Sequence, residues 1–147
     1  MSTSLFYHGC GAFKHTHLKT EYDGGKIYFH AERRDRPQKC LGCQQRTQLN
    51  IHGWQSYELK NLPLGNRPRF LVLHLRIFEC QSCSHRFQEP RQVAPPRKSY
   101  TKRFENLVWT LSQEMTLSGV ARYLDVGWDF VEGIVKCRLG RLAARRT

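Results

Sequence analysis

Two short cysteine pairs, Cys40-Leu41-Gly42-Cys43 and Cys80-Gln81-Ser82-Cys83, are the most chemically specific feature of the chain. A two-residue gap lets both thiolates of one tight turn face the same ion. Two such turns give four sulfurs, the tetrahedral donor set of a closed structural zinc site. Four thiolates leave no open position for water, so one structural zinc ion is expected rather than a catalytic one. The competing chemistries are a redox dithiol, which comes as a single pair within a βαβ pattern, and an iron–sulfur cluster. His85, two residues after Cys83, is an alternative fourth ligand. Cys10 and Cys137 have no partner nearby in sequence and read as small buried hydrophobes. For so small a module, metal-binding free energy becomes folding free energy.

Basic side chains form the second group. Lys and Arg number 24 against 12 acids, a formal net charge of +12, which favours an anionic partner such as double-stranded DNA. Of these cations only Lys14, Lys19 and Lys26 fall in the first thirty residues, so the surplus lies downstream. Residues 116–136 read as a helix-turn-helix. Thr116 is the candidate N-cap of a helix over 117–124, with Leu117, Val120, Ala121 and Leu124 as its apolar stripe. Asp125-Val126-Gly127 is the turn. A second helix starts near Trp128, burying Val131, Ile134 and Val135 and continuing its stripe through Leu139 and Leu142. In such a pair the second helix enters the major groove with its N-terminal end first. That end offers Gly127, Trp128 and Asp129, then Glu132 and Lys136, with Arg122 on the helix before it. Lys102 and Arg103 stand at a helix start suited to phosphate. Arg97 and Lys98 follow Pro95-Pro96 and could form a minor-groove arm. Arg138 and Arg141, with Arg145 and Arg146, extend the basic side of the last helix.

The elements that must position these groups follow from periodicity. Phe70 to Phe78 alternates as a strand, with Leu71, Leu73, Leu75 and Ile77 on one face and Phe70, Val72, His74, Arg76 and Phe78 on the other. Residues 54–59 are its expected partner, joined through turn residues 62–66. Asp23-Gly24-Gly25 reads as a hairpin turn before the strand-like stretch 26–30, and aromatics are scattered at Phe6, Tyr7, Phe13, Tyr22, Tyr28 and Phe29. Residues 91–98 read as a stiff, extended basic linker. After it, Phe104, Leu107, Val108 and Leu111 have helical spacing, which predicts a helix over 101–113. The expected fold is α+β: an N-terminal extension, 1–30, packing on a four-cysteine zinc ribbon, 31–92, which a Pro-containing linker joins to a three-helix helix-turn-helix domain, 93–147. At 147 residues with 39% hydrophobic content, small modules are expected in place of one large core.

The motifs recur in an order that resembles a known family. Cys40-x-x-Cys43 is followed by Leu62-Pro63-Leu64-Gly65 with Arg67 and Arg69. Next come Arg76-Ile77-Phe78-x-Cys80 and Cys83-x-x-Arg86-Phe87-x-Glu89, then a helix-turn-helix whose second helix opens Trp128-Asp129-x-Val131. Over about residues 20–142 this is similar to the N-terminal region of transposases of the ISL-three insertion-sequence family. The resemblance implies that Cys40, Cys43, Cys80 and Cys83 hold zinc and that residues 116–136 read DNA, with the terminal inverted repeats of the element as target. A separate acidic-triad domain of RNase H type does the cutting in such transposases. Four positions depart from the family pattern. Leu41 and Gln44 stand where Pro and Gly are common in the first knuckle, with Gly42 expected to supply the lost backbone freedom. Asp125 stands where the turn often has Gly, and only Arg76 remains of an arginine pair.

The twelve acids are scattered, and 147 residues leave no room for a nuclease domain beside these modules. The sequence therefore reads as non-enzymatic: a transposase front end lacking its catalytic part, or a free-standing DNA-binding regulator derived from one. A protein-interaction zinc ribbon is the reading from another class. No apolar run approaches the ~20 residues of a membrane span, and the first residues do not form a secretory signal. A cytoplasmic, nucleoid-associated protein acting as a homodimer on paired half-sites is expected.

Overall fold

The computed structural model describes residue 8 and residues 14–37, 39–46 and 48–146. Cys10, Phe6, Tyr7 and Phe13 lie outside the described residues. The class is α+β, a mixed sheet followed by helices. The strands are β1 (His15–Asp23), β2 (Lys26–Arg33), β3 (Leu49–Leu64), β4 (Arg67–Cys80) and β5 (Arg86–Gln88). The helices are α1 (Lys102–Glu114), α2 (Leu117–Leu124) and α3 (Trp128–Arg146).

Strand β4 organises the sheet. On one edge β3 pairs with it antiparallel, from Leu49↔Cys80 to Leu64↔Arg67, including the expected 54–59 segment (Trp54↔Arg76, Leu59↔Leu71). The other edge is shared. β2 runs parallel to it from Ile27↔Arg69 to Glu32↔His74, and β5 takes Ile77 to Glu79 antiparallel. β1 closes the outer side against β2. Residues 15–30, expected to pack beside the ribbon, thus contribute β1 and most of β2 to the sheet itself. The reason is alternation: Ile27, Phe29 and Ala31 present an apolar face in line with Leu71, Leu73 and Leu75. With Leu59 and Ala94 these side chains form the larger sheet core, each leucine, isoleucine or phenylalanine contributing about 1.5–3 kcal/mol of transfer free energy.

One strand serves two cores. Up to Leu75 the buried side chains of β4 are the odd-numbered ones. From Arg76 onward Arg76, Phe78 and Cys80 are buried and Ile77 is only half-buried. The faces were legible from alternation, but not the exchange of which face is covered. Near the cysteines the second face is the covered one, where Phe87 of the adjoining β5 packs beside Phe78 in a small cluster with Cys40 and Cys80. Opposite them, a bulge in β3 between Ile51 and Gly53 marks the change.

The connection to the helices differs from the extended linker read from Pro95-Pro96. Ala94 and Pro95 are buried, the backbone turns so that Lys98 N donates to Pro95 O (3.2 Å), and Arg97 has φ 60°. Beyond the turn, Lys60 N donates to Ser99 O (2.8 Å), Thr101 N to Lys60 O (2.9 Å) and Lys102 N to Val93 O (2.8 Å). A segment with donors and acceptors beside an open strand edge satisfies them there instead of in water, so the prolines set a corner and not a spacer.

Each of the first two helices starts on a threonine cap: Thr101 Oγ1 accepts from Phe104 N (3.2 Å), and Thr116 Oγ1 from Gly119 N (3.1 Å). Phe104, Val108, Val120, Ala121, Leu124, Val131 and Ile134 form the helical core, with Tyr100 at its edge. α3 is longer than its neighbours, and its buried positions are confined to Val131 and Ile134. Leu139, expected to continue the stripe, is therefore 52% exposed.

Candidate metal centre and nucleic-acid interface

The two cysteine pairs meet where β3 begins and β4 ends. All four sulfurs lie within 4.8 Å of one another; Cys40 Sγ is 3.6 Å from Cys83 Sγ, and Cys43 Sγ is 3.9 Å from Cys80 Sγ. A tetrahedron with zinc–sulfur bonds of ~2.3 Å has edges of about 3.8 Å. A disulfide needs ~2.0 Å. The geometry fits one ion held by four thiolates, and His85 is not among the converging groups.

The knuckles are built alike. In the first, Cys40 N donates to Gln45 O (3.2 Å) and Gln44 N to Cys40 O (3.0 Å); in the second, Cys80 N donates to His85 O (3.0 Å) and Ser84 N to Cys80 O (3.0 Å). Gly42 N also donates to Cys40 Sγ (3.2 Å), a bond that stabilises a thiolate. Both turns place the residue after the second cysteine in left-handed backbone, Gln44 at φ 60° and Ser84 at φ 58°. Gly42 does not supply that freedom, contrary to expectation. A Cβ on Gly42 would come within 2.8–3.0 Å of the His85 ring and Cβ, so glycine is needed there because the second knuckle packs directly on the first. His85 acts by contact, stacked beside Phe87 with ring centroids 6.2 Å apart.

In the helical part, α2 ends in Asp125 at φ 54°, ψ 51°. Val126 N donates to Ala121 O (3.0 Å) and Asp125 N to Arg122 O (3.4 Å), closing α2 with the paired bonds of a Schellman turn. Val126 tucks against the helical core, and α3 departs from Trp128. This corner is the αL position at which a helix-turn-helix favours Gly and tolerates Asp.

Against known families, residues 36–83 match the zinc-finger of transposase IS204/IS1001/IS1096/IS1165, and residues 92–136 match the helix-turn-helix domain of transposase family ISL3. The chain carries the zinc-finger and helix-turn-helix regions of an ISL3 transposase. No curated protein and no solved structure matches it. The ISL3 zinc-finger match contains all four sulfur ligands, and the helix-turn-helix match runs from Gln92 through Lys136. Both regions fit DNA binding. No helix among the described residues is long and apolar enough to cross a membrane.

The expected contact residues of the ISL3 helix-turn-helix fall into two sets. Arg122, Gly127, Trp128 and Asp129 are exposed around the corner, Trp128 at 45%. Lys136 is exposed as well and pairs with Glu132 (2.8 Å), which offsets one of the awkward acids. Arg97 and Lys102 are exposed near the turn into α1, Lys98 is half-buried there, and Arg103 donates to the backbone oxygen of His8. Arg138 and Arg141 instead converge on Glu105, a 3% exposed carboxylate of α1. Arg138 lies 3.4 Å from it, also donates to Asn106 Oδ1 (2.7 Å), and sits over the Trp109 ring. These two arginines tie α3 to α1. With Lys102 they line a cleft of about 370 Å³. Cys137, on the same helix, is half-buried.

Sequence reading gave no role to the group that ties the knuckles to the sheet. Arg76 donates through Nε to Glu89 Oε1 (2.9 Å) and through its backbone N to Glu89 Oε2 (2.8 Å). Its Nη2 reaches Asp35 O (2.6 Å), in the segment that leads to the first knuckle. Glu89 follows the second knuckle and β5. One guanidinium thus holds the chain entering one knuckle and the chain leaving the other. The signal was present as an Arg and a Glu flanking the second cysteine pair, but a partner thirteen residues away cannot be read from spacing alone.

Proposed function

We propose that this chain recognises the terminal inverted repeats of its insertion sequence, reading duplex DNA with the N-terminal end of α3 while the zinc-stapled sheet holds the helices in place. The chain's own part in transposition is then recognition, and cutting and joining belong to a separate acidic-triad domain. The observation that carries this reading is the corner itself. A capped α2, a Schellman turn and an exposed α3 start place Arg122, Gly127, Trp128 and Asp129 on one open surface of a strongly basic chain. Lys102, Arg138 and Arg141 would add phosphate contacts along the cleft between α1 and α3. The Glu105 carboxylate there leaves part of their charge uncompensated.

A dimer on paired half-sites follows from the small surface that one corner offers. The test is binding of the zinc-loaded protein to the element's own ends and to scrambled duplex across a salt series. A preference for the ends that persists as salt rises, weakened by Arg122→Ala and Trp128→Ala, is expected. Equal affinity for both duplexes at every salt concentration would rule out end recognition.

A further inference from the structure

Beside the helix-turn-helix corner, the far end of the β3–β4 hairpin forms a second wall. Between them lies a cleft of about 430 Å³. Lys60, Asn61, Pro63, Gly65, Asn66 and Pro68 line it from the hairpin, and Phe104, Tyr123, Leu124 and Asp125 from the helices. The hairpin is fixed there by the backbone bonds of Lys60 to Ser99 and Thr101.

Three observations give this cleft a chemistry. Asn61 is 1% exposed. Its Oδ1 accepts from Leu62 N (2.8 Å) and Thr101 Oγ1 (3.1 Å), yet its Nδ2 is buried with no partner. A buried amide donor left unpaired is costly, and an incoming acceptor recovers that cost. Lys60 also lines the cleft, and its ammonium is half-buried, 5.3 Å from the Phe70 ring centroid. Burial holds it below the usual lysine range, with Asp125 opposing that shift and Lys26 adding to it. Finally, Arg67 stands exposed at the hairpin tip between the cleft residues Asn66 and Pro68, and Arg122 is exposed next to Tyr123. Neither has a carboxylate of the described residues within ion-pair distance. Elsewhere Arg33, Arg76, Arg86, Arg138 and Arg141 are all paired. Asp125 is the acid of the cleft, and its exposed side chain leaves the local balance cationic.

We propose that the hairpin tip is a second DNA contact, seating a backbone phosphate of the bound duplex between strand and helix on Lys60, the spare Asn61 amide, Arg67 and the 70% exposed Tyr123. This rests on the DNA-binding reading of the corner and adds a phosphate clamp to it. A phosphate contact carries charge but no sequence information. Losing one lowers the slope of log affinity against log salt by about 0.9 and weakens all duplexes alike.

The experiment compares wild type, Arg67→Ala, Lys60→Gln and Lys14→Ala, the last at the outer edge of the sheet, on end-sequence and scrambled duplexes across a salt series. Circular dichroism and a thermal melt verify the fold of each variant. Arg67→Ala removes an exposed side chain and keeps the test open if Lys60→Gln unfolds. The expected result is a slope reduced by about 0.9 for Arg67→Ala and for Lys60→Gln, equally on both duplexes, with Lys14→Ala unchanged. Unchanged slopes in folded Arg67→Ala, alongside weakened binding by Arg122→Ala, would overturn the clamp and leave the corner reading intact. Failure of wild type to bind any duplex at low salt would overturn both.

Discussion

The two ends of this molecule are held together by different means. At the zinc end the apolar cluster is four side chains, two of them cysteines. At the helical end eight buried side chains pack with two threonine caps and a Schellman turn, and the four-cysteine cluster lies elsewhere. An end that buries so little apolar surface cannot offset its ordering entropy by packing, so the ion supplies the difference. The helical end reaches the same result from residue spacing alone.

Metal removal breaks the comparison most widely. Structural zinc is worth roughly 10–16 kcal/mol in small fingers. Chelation, or Cys40→Ser, is expected to abolish order around both knuckles while the helical signal in circular dichroism persists. Simultaneous loss of both would show that the helical end does not stand alone. Next in size is the Arg76–Glu89 pair, Glu89 being 2% exposed. Glu89→Gln leaves a buried guanidinium uncompensated and should cost about 3–5 kcal/mol in denaturant titration, along with weaker metal retention.

Acid should also act on the sheet. His15 is 1% exposed, and burial, aided by Arg33, lowers its pKa to about 4. The unfolded chain therefore takes up this proton first. The contribution of His15 is complete above about pH 6.5 and is lost as pH falls toward 4, at most about 3 kcal/mol. His15→Phe should remove that part of the pH dependence, read as the difference between the two stability curves.

The smallest effects sharpen the contrast. Thr116→Ala should destabilise the helical end by about 1 kcal/mol, visible in its thermal melt. Gln44→Gly, at φ 60°, should stabilise the zinc end by roughly 1 kcal/mol and tighten zinc in a competition assay.

What the sequence disclosed follows the range of the interactions. Local rules placed the four ligands, the Thr116 cap and the stripe of α2 from neighbours a few residues away, and the pairing of 54–59 with β4 from the turn residues between them, 12 to 22 positions being spanned. Non-local partners stayed hidden. The parallel pairing of β2 with β4, the packing of Gly42 on His85 and the capture of Arg138 and Arg141 by Glu105 join residues from 33 to 43 positions apart. Pro95-Pro96 misled because its stiffness was visible and the open edge of β3 that captures it was not.

The register of β4 carries one more consequence. Arg76, Phe78 and Cys80 share a face, and Leu71, Leu73 and Leu75 share the opposite one. A slip of one residue against β3 would turn Cys80 away from the other sulfurs and swing the leucines into water at the same stroke. The four sulfurs can converge on one ion only when the long hairpin is zipped in its native register, so a single alignment of β3 and β4 serves the ligand set and the leucine core together.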